Sequence, residues 1–264
     1  MPRFISGKEI ADKKEQDHFV RVHNLKRKGV MPKLAIVQTI TSSVIDTYVR
    51  VKKTYAEKVG IRVQHYSVSP GEIELCINAL NSDDSVHGII IQLPLHKGLN
   101  QKKTLDFVVN RKDVDGLTSE SDFVPPTVQS ILWLIDAYIP ELESKKVALV
   151  GKGRLVGAPL EKELLRQGIV PRVFTKEDSL EELLRYDVIV SATGVPSLLT
   201  NSHIRSQAYV FDAGTAEENG AIHGDADDEL YTRDDISITP TKGGVGILTV
   251  RALFENVLRA VEEC

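Results

Sequence analysis

Cysteine, aromatic side chains and surplus charge are all scarce in this chain. Its 264 residues include two cysteines, Cys76 and Cys264. Neither has a Cys-x-x-Cys partner, so neither a disulfide framework nor a cysteine zinc site is indicated. The seven histidines are scattered without metal-ligand spacing, and no metal is expected. A net charge of −4 gives no bulk attraction to nucleic acid or to an anionic membrane. The basic cluster Lys26-Arg27-Lys28 reads as a solvated helix end. No apolar run approaches membrane-spanning length. The first residues, MPRFISGKEIADK, lack the apolar core of a signal peptide. A reducing, cytoplasmic setting is the expectation.

What is present is the composition of a globular protein, 42% hydrophobic and 27% charged, with length for one large domain or two ordinary ones. The first part alternates helix and strand. GKEIADKKEQDHFVRVHNLKRKG reads as a helix, PKLAIVQTI as a buried strand, IRVQHYSV as a strand and GEIELCINALNSD as a helix. VHGIIIQLPL is the most apolar strand and is expected at the centre of a parallel sheet. NQKKTLDFVVN reads as a further helix. Pro125 and Pro126 then open a long apolar helix that connects to a second β-α-β series. That series runs through strand Val147–Val150, a glycine loop, a helix, PRVFT, the helix SLEELLRYD, VIVSATG and AYVFDAGT. It is the pattern of a doubly wound sheet. ITPTKGGVGILTV and a final helix close the chain.

One stretch sets the chemical question. In SSVIDTYVRVKKTYAEKVG, Ser42 or Ser43 caps a helix and Gly60 stops it. At helical spacing Val44, Tyr48, Val51, Tyr55 and Val59 form one stripe, and Lys52 falls inside it beside Tyr48. A lysine there either snorkels to water or serves as a chemical lysine in a pocket.

Four other motifs are open to a plain and a functional reading. In GKGRLVG, Gly151 and Gly153 follow a strand and Gly157 opens a helix. That loop either makes a tight turn or holds a pyrophosphate on its N–H groups. The acid usual at the end of the next strand is replaced by Thr175 and Lys176. Lys176 suits a 2′-phosphate or sits in a solvated loop. Gln92 ends the most apolar strand and Pro94 breaks it, at the strand edge where α/β sheets bind ligands, so Gln92 either contacts a ligand or satisfies loose backbone. Asp113 and Asp115 in RKDVDG either serve their own turn or hold a ligand's paired N–H groups. TKGGVG, with Gly243, Gly244 and Gly246, is either a hinge or a loop that lets backbone approach a ligand.

The combination is more specific than its parts. Tyr-x-x-x-Lys, a strand ending Gln-Leu-Pro-Leu, Lys-Asp-Val-Asp-Gly, Gly-x-x-x-x-Val-Gly and a terminal Gly-Gly-Val-Gly follow one another along the chain. Together they resemble the bifunctional methylenetetrahydrofolate dehydrogenase/cyclohydrolase family, over nearly the whole chain. The resemblance implies an α/β fold of two domains with a cleft between them. A folate-binding catalytic domain would comprise 1–121 and 250–264, and a Rossmann-like dinucleotide-binding domain 122–249. It implies oxidation of methylene- to methenyltetrahydrofolate with NADP, or alternatively NAD. It also implies hydrolysis of the methenyl form to 10-formyltetrahydrofolate, and a homodimer.

By the same resemblance Lys52 is the catalytic lysine, Tyr48 its companion, Gln92 the residue that tunes it and Asp115 the acid that holds the pterin. Pro94, Gly243 and Gly244 would lie by the folate. Gly151, Lys152, Gly153, Val156, Gly157, Lys176, Gly194, Thr215 and Gly246 would lie by the cofactor. The chain departs from the family's usual Gly-Arg-Ser at GKG, from its His-Ser pair at Thr175-Lys176, from prolines at Lys242 and Ile247, and from Pro-x-Thr-Pro-x-Gly at PPTVQS. These departures fall on the cofactor side or on loop rigidity. The alternatives are a cyclohydrolase with a weakened or lost dehydrogenase, a folate-binding protein without turnover, and a different Rossmann oxidoreductase of the shikimate dehydrogenase kind.

Overall fold

The computed structural model describes residues 3–218 and 221–263; Cys264 lies outside them. In chain order the elements are β1 (Arg3–Phe4), α1 (Lys8–Arg27), β2 (Lys33–Gln38), α2 (Ser43–Val59), β3 (Arg62–Ser67), α3 (Ile73–Ser82), β4 (Gly88–Ile91) and α4 (Gln101–Leu105). There follow α5 (Pro126–Tyr138), β5 (Val147–Val150), α6 (Gly157–Arg166), β6 (Arg172–Phe174), β7 (Val188–Ser191) and β8 (Tyr209–Asp212). A short antiparallel hairpin, β9 (Ala216–Glu218) with β10 (Ala221–His223), precedes β11 (Ser237–Ile238) and α7 (Val245–Glu262).

The chain forms two compact units. One comprises Asp12–Pro126 and Val250–Cys264, the other Met1–Ala11 and Thr127–Thr249. The expected division put the first residues with the N-terminal domain. Instead β1 pairs in parallel with β11 of the second unit, and Gly7 N donates to Gly243 O at 2.8 Å. Parallel pairing needs a partner strand from a distant stretch of chain, which local sequence does not reveal.

In the unit of residues 12–126 and 250–264, three parallel strands run in the order β3-β2-β4. Alternate side chains of β2 enter two cores. Leu34 and Ile36 pack with Ile45, Val49 and Val59 of α2 and with Phe254 of α7. Ala35 and Val37 pack with Ile73 and Ile77 of α3. β4, expected at the centre, is an edge strand, and β2 is central. Its apolar run is nonetheless required, because Ile90 enters one core and Ile89 and Ile91 the other. Full burial of each such side chain contributes about 1.5–3 kcal/mol. The outer edge of β4 is met by a parallel bridge between Ile89 and Asp113, which fixes the KDVDG turn beside the strand. The helix expected over NQKKTLDFVVN contracts to α4 and a separate 3-10 turn, Asn110–Lys112. Between them the Asp106 carboxylate accepts from Ser119 N at 2.8 Å.

The other unit holds a six-stranded parallel sheet, β1-β11-β8-β7-β5-β6. β5 is flanked by β6 and β7, so successive connections leave β5 in opposite directions. Such a switch point opens a ligand crevice at the carboxyl ends of the strands. SLEELLRYD forms a 3-10 helix, Leu180–Arg185, rather than an α-helix. Its Leu183 is buried in the core with Phe174, Ile189 and Val210.

Candidate active site

α2 begins where Ser42 Oγ accepts from Ile45 N at 3.2 Å and ends at Gly60 in the left-handed conformation. Its buried residues are Ile45, Val49, Tyr55, Ala56 and Val59, while Val44, Tyr48 and Val51 are exposed. Tyr55 and Val59 of the expected stripe are therefore buried, but in the first half of the helix Ile45 and Val49 face the core in place of Val44, Tyr48 and Val51. At steps of four and three, positions 45, 49, 52, 56 and 59 line the core face, and Lys52 stands within that row. Tyr48 presents its ring to solvent one turn away, 44% exposed. Tyr55 turns inward, with its hydroxyl 2.8 Å from His18 Nδ1.

Lys52 Nζ donates to Gln92 Oε1 at 2.8 Å. Gln92 follows β4 directly. Its N–H donates to Val37 O at 2.8 Å, and its Nε2 donates to Leu93 O at 2.9 Å. The amide is thus held at both ends, with its oxygen turned to the lysine. An amide oxygen accepts from a neutral amine as well as from an ammonium, so this contact does not demand a charged lysine. Burial lowers the Lys52 pKa below 10.5, against the opposing pull of the Asp115 carboxylate. Burial pushes Asp115 up to about 6; Lys52 opposes this and Asp113 adds to it. The two groups stand within electrostatic reach, each displaced toward its neutral form. Pro94, after a cis peptide bond with Leu93, is exposed beyond them.

The two aspartates of the turn have different work. Asp113 is buried, and its Oδ2 accepts from Thr118 N at 2.8 Å, so it serves its turn. Asp115 stands in electrostatic range of Lys52. Between them Val114 is buried, and its carbonyl accepts from Asn256 Nδ2 at 2.9 Å. The same Nδ2 donates to Val124 O at 2.9 Å. Asn256, in α7, thereby holds the peptide that leads into Asp115. It lies far away in sequence, inside an apolar helix, and no motif singled it out. Lys112 is buried too, donating to the carbonyls of Leu80, Asn81 and Asp83 at 2.8–3.0 Å. These lie at the end of α3, where a cation complements the helix dipole.

One group among the described residues has the spacing of a metal site, Asp17, His18 and Glu255. The Glu255 carboxylate already receives Lys14 and Arg21, so the group forms an ion-pair network joining α1 to α7.

The dinucleotide candidates lie in the other unit. Gly151 follows β5 with φ 98°. A Cβ on Gly157 would stand 2.1 Å from Gly151 O, so only glycine fits there. The N-terminus of α6, preceded by Val156, has no side-chain cap. Its N–H groups and the close-fitting glycines suit a pyrophosphate. Gly153 and Lys152 lie in the same loop, and Lys152 pairs with Glu161 at 3.2 Å. A groove of about 440 Å³ beside the loop is lined by Lys152, Glu161, Pro171, Arg172, Val173, Thr175 and Asp178. Four residues past β6, Asp178 accepts from Thr175 N at 2.8 Å and pairs with Arg172 at 2.5 Å, serving its own turn. Lys176 is exposed in the same turn. A Cβ on Gly194 would lie 3.5 Å from Thr215 O, so these two candidates are adjacent, on the loops after β7 and β8. Gly243 and Gly244 follow β11 against Gly7, and Gly246 lies in the first turn of α7.

Comparison with known proteins places the chain. The NAD(P)-binding domain of tetrahydrofolate dehydrogenase/cyclohydrolase matches residues 125–264, and the catalytic domain of the same family matches residues 5–115. The bifunctional protein FolD of Staphylococcus aureus is 35% identical over 274 aligned positions, covering 98% of this chain and 96% of that protein. The crystal structure of the bifunctional enzyme FolD from Campylobacter jejuni superposes with a TM-score of 0.93 at 31% identity, covering 100% and 99% of the two chains. The Trypanosoma brucei dehydrogenase-cyclohydrolase, solved with NADP and an inhibitor, gives 0.91 at 26% identity, covering 99% and 98%. With both family domains matched in order and relatives aligned end to end, the chain belongs to the tetrahydrofolate dehydrogenase/cyclohydrolase family.

Proposed function

We propose that the protein oxidises 5,10-methylenetetrahydrofolate with NADP and hydrolyses the methenyl product to 10-formyltetrahydrofolate. The observation that carries this reading is the part-buried Lys52–Gln92 contact at 2.8 Å with Asp115 in electrostatic range. The methenyl substrate bears a delocalised positive charge on its N–C–N unit. A cation beside an ammonium disfavours the ammonium, so substrate and burial both push Lys52 toward the amine. The amine takes a proton from the water that attacks the methenyl carbon and delivers it to the departing nitrogen; as that C–N bond breaks, the added hydroxyl becomes the formyl carbonyl and its proton leaves to solvent. Gln92 keeps the lone pair aimed, exposed Tyr48 offers a face for stacking, and Asp115 accepts from the pterin N–H groups and so fixes the reacting carbon. Oxidation needs less from the side chains. NADP, when bound, would supply a nicotinamide that accepts hydride from the methylene carbon, and positioning by the protein would carry the step. Gly151, Gly153 and Gly157 would hold the pyrophosphate, with Lys152 and Lys176 toward the adenosine end.

A homodimer in a cytoplasmic setting belongs to the same reading, and light scattering of the purified protein tests the dimer. Among the described residues no helix is long and apolar enough to cross a membrane.

The test is to assay both reactions in the wild type and in Lys52→Ala. Hydrolysis should fall to the spontaneous rate while NADP reduction with the methylene substrate persists. Equal loss of both in a folded variant would mean that Lys52 is not the base for hydrolysis.

A further inference from the structure

Two carboxylates, Asp212 and Asp225, tie together the carboxyl ends of β7 and β8. Asp225 is fully buried. Its Oδ2 accepts from Ser191 Oγ at 2.5 Å and Thr193 N at 2.7 Å, and its Oδ1 accepts from Val195 N at 3.1 Å. These donors belong to the last residue of β7 and the loop after it, which carries Gly194. Asp212, the last residue of β8, holds Asp225 in turn. Its Oδ1 accepts from Gly214 N at 2.9 Å and Asp225 N at 3.0 Å, and its Oδ2 accepts from Ala226 N at 2.9 Å. Two glycines make room. A Cβ on Gly214 would lie 2.0 Å from Asp225 Oδ1, and one on Gly224 2.0 Å from Asp212 Oδ2.

Each donor to these carboxylates is a neutral N–H or O–H. Holding a buried Asp225 and a partly buried Asp212 by dipoles alone is costly compared with apolar packing. The arrangement does something that apolar packing cannot. It draws the N–H groups of Thr193 and Val195 inward and locks the backbone on either side of Gly194. The chain Asp212, Asp225, Ser191–Val195 thus links the carboxyl ends of neighbouring strands β8 and β7, next to β5 and its glycine loop. A Cβ on Gly151 would meet Ala192 O at 3.0 Å, so the locked loop also forms a wall of the glycine loop.

We infer that Asp225, held by Asp212, is a positioning residue for the dinucleotide: it shapes the Ala192–Val195 loop into a surface against which the cofactor binds. The inference rests on the dinucleotide reading of this unit. Hydrolysis of the methenyl substrate uses none of these residues, which supplies an internal control.

The experiment measures NADP affinity by direct titration, and hydrolysis without dinucleotide, in the wild type, Asp225→Asn and Ser191→Ala. Asparagine is isosteric, but its amide nitrogen must face one of the donors. Losing a charged, buried acceptor should weaken NADP binding about tenfold or more while hydrolysis changes by less than about twofold. Ser191→Ala removes one donor and keeps both N–H contacts, so it should weaken binding by only about two- to fivefold. It carries the test if Asp225→Asn does not fold. Unchanged affinity in a folded Asp225→Asn, or in Ser191→Ala if that is the folded variant, overturns the inference alone. So does a parallel loss of hydrolysis, which marks a purely structural residue. Absence of NADP binding in the wild type overturns the dinucleotide reading and the inference together.

Discussion

Asp115 should cost the protein stability at neutral pH, and removing its charge should return it. Burial raises this carboxyl from 3.8 to about 6, a displacement of roughly two units, or about 3 kcal/mol at about 1.36 kcal/mol per unit. A carboxyl whose folded pKa exceeds its unfolded one favours the folded state below the unfolded value. That advantage is lost as pH rises through the folded value, and above it the ionised group is a net penalty. The window is therefore about pH 4 to about pH 6. Asparagine keeps the shape and removes the charge. It also removes the carboxylate that supports a charged Lys52, so Lys52 then settles as the neutral amine rather than as a lone buried cation. Allowing half of the penalty to be relieved by relaxation and water, Asp115→Asn should gain about 1.5 kcal/mol at pH 8 and little near pH 4. With about 2–4 °C per kcal/mol for chains of this size, the transition of that unit should rise by about 3–6 °C at pH 8. Thermal melts followed by circular dichroism across this range, together with folate titration, provide the assay. The gain in stability should come with weaker folate binding, as expected when a site is built from a strained charge. An Asn variant no more stable than wild type at pH 8, or one whose advantage does not change between pH 4 and pH 8, refutes the reasoning.

Two further substitutions probe the supports of each site. Asn256→Ala leaves the carbonyls of Val114 and Val124 without their donor and should destabilise by about 2 kcal/mol, read from the urea midpoint. It should also raise the folate KM, because the peptide leading into Asp115 loosens; an unchanged midpoint would show that water replaces the amide. Gly157→Ala forces a Cβ against Gly151 O and should abolish NADP binding while dinucleotide-free hydrolysis remains. Normal NADP affinity in that variant would mean that the loop does not seat the pyrophosphate.

Much of the fold could be read along the chain, and what could not be read has a common cause. The elements around Lys52 follow from local signals: a serine cap, a glycine stop and a strand ended by Gln92. The first half of the buried row on α2 did not, because Ile45 and Val49 satisfy the helical period as well as Val44, Tyr48 and Val51 do. Sheet packing against Ile36 and Ile90 chooses between them. β4 was misplaced to the centre because an apolar run reports burial on both faces and not the number of strand neighbours. The N-terminal strand, Asn256 and the Asp212–Asp225 pair act on segments distant in sequence. Their roles depend on parallel pairing and on hydrogen bonds to backbone, which leave no periodic trace. The aspartates in FDAG and GDAD stand 13 residues apart, and only the fold brings them together.

The central claim is that Lys52 is a base because its surroundings strip its proton below the usual lysine range. A titration of the protein labelled with 13C at lysine Cε, with the Lys52 signal assigned by its absence in Lys52→Arg, measures this directly. The account predicts a midpoint clearly below 10.5, falling further in Asp115→Asn. A midpoint at or above 10.5, insensitive to Asp115, would make Lys52 an ordinary ammonium and contradict the mechanism.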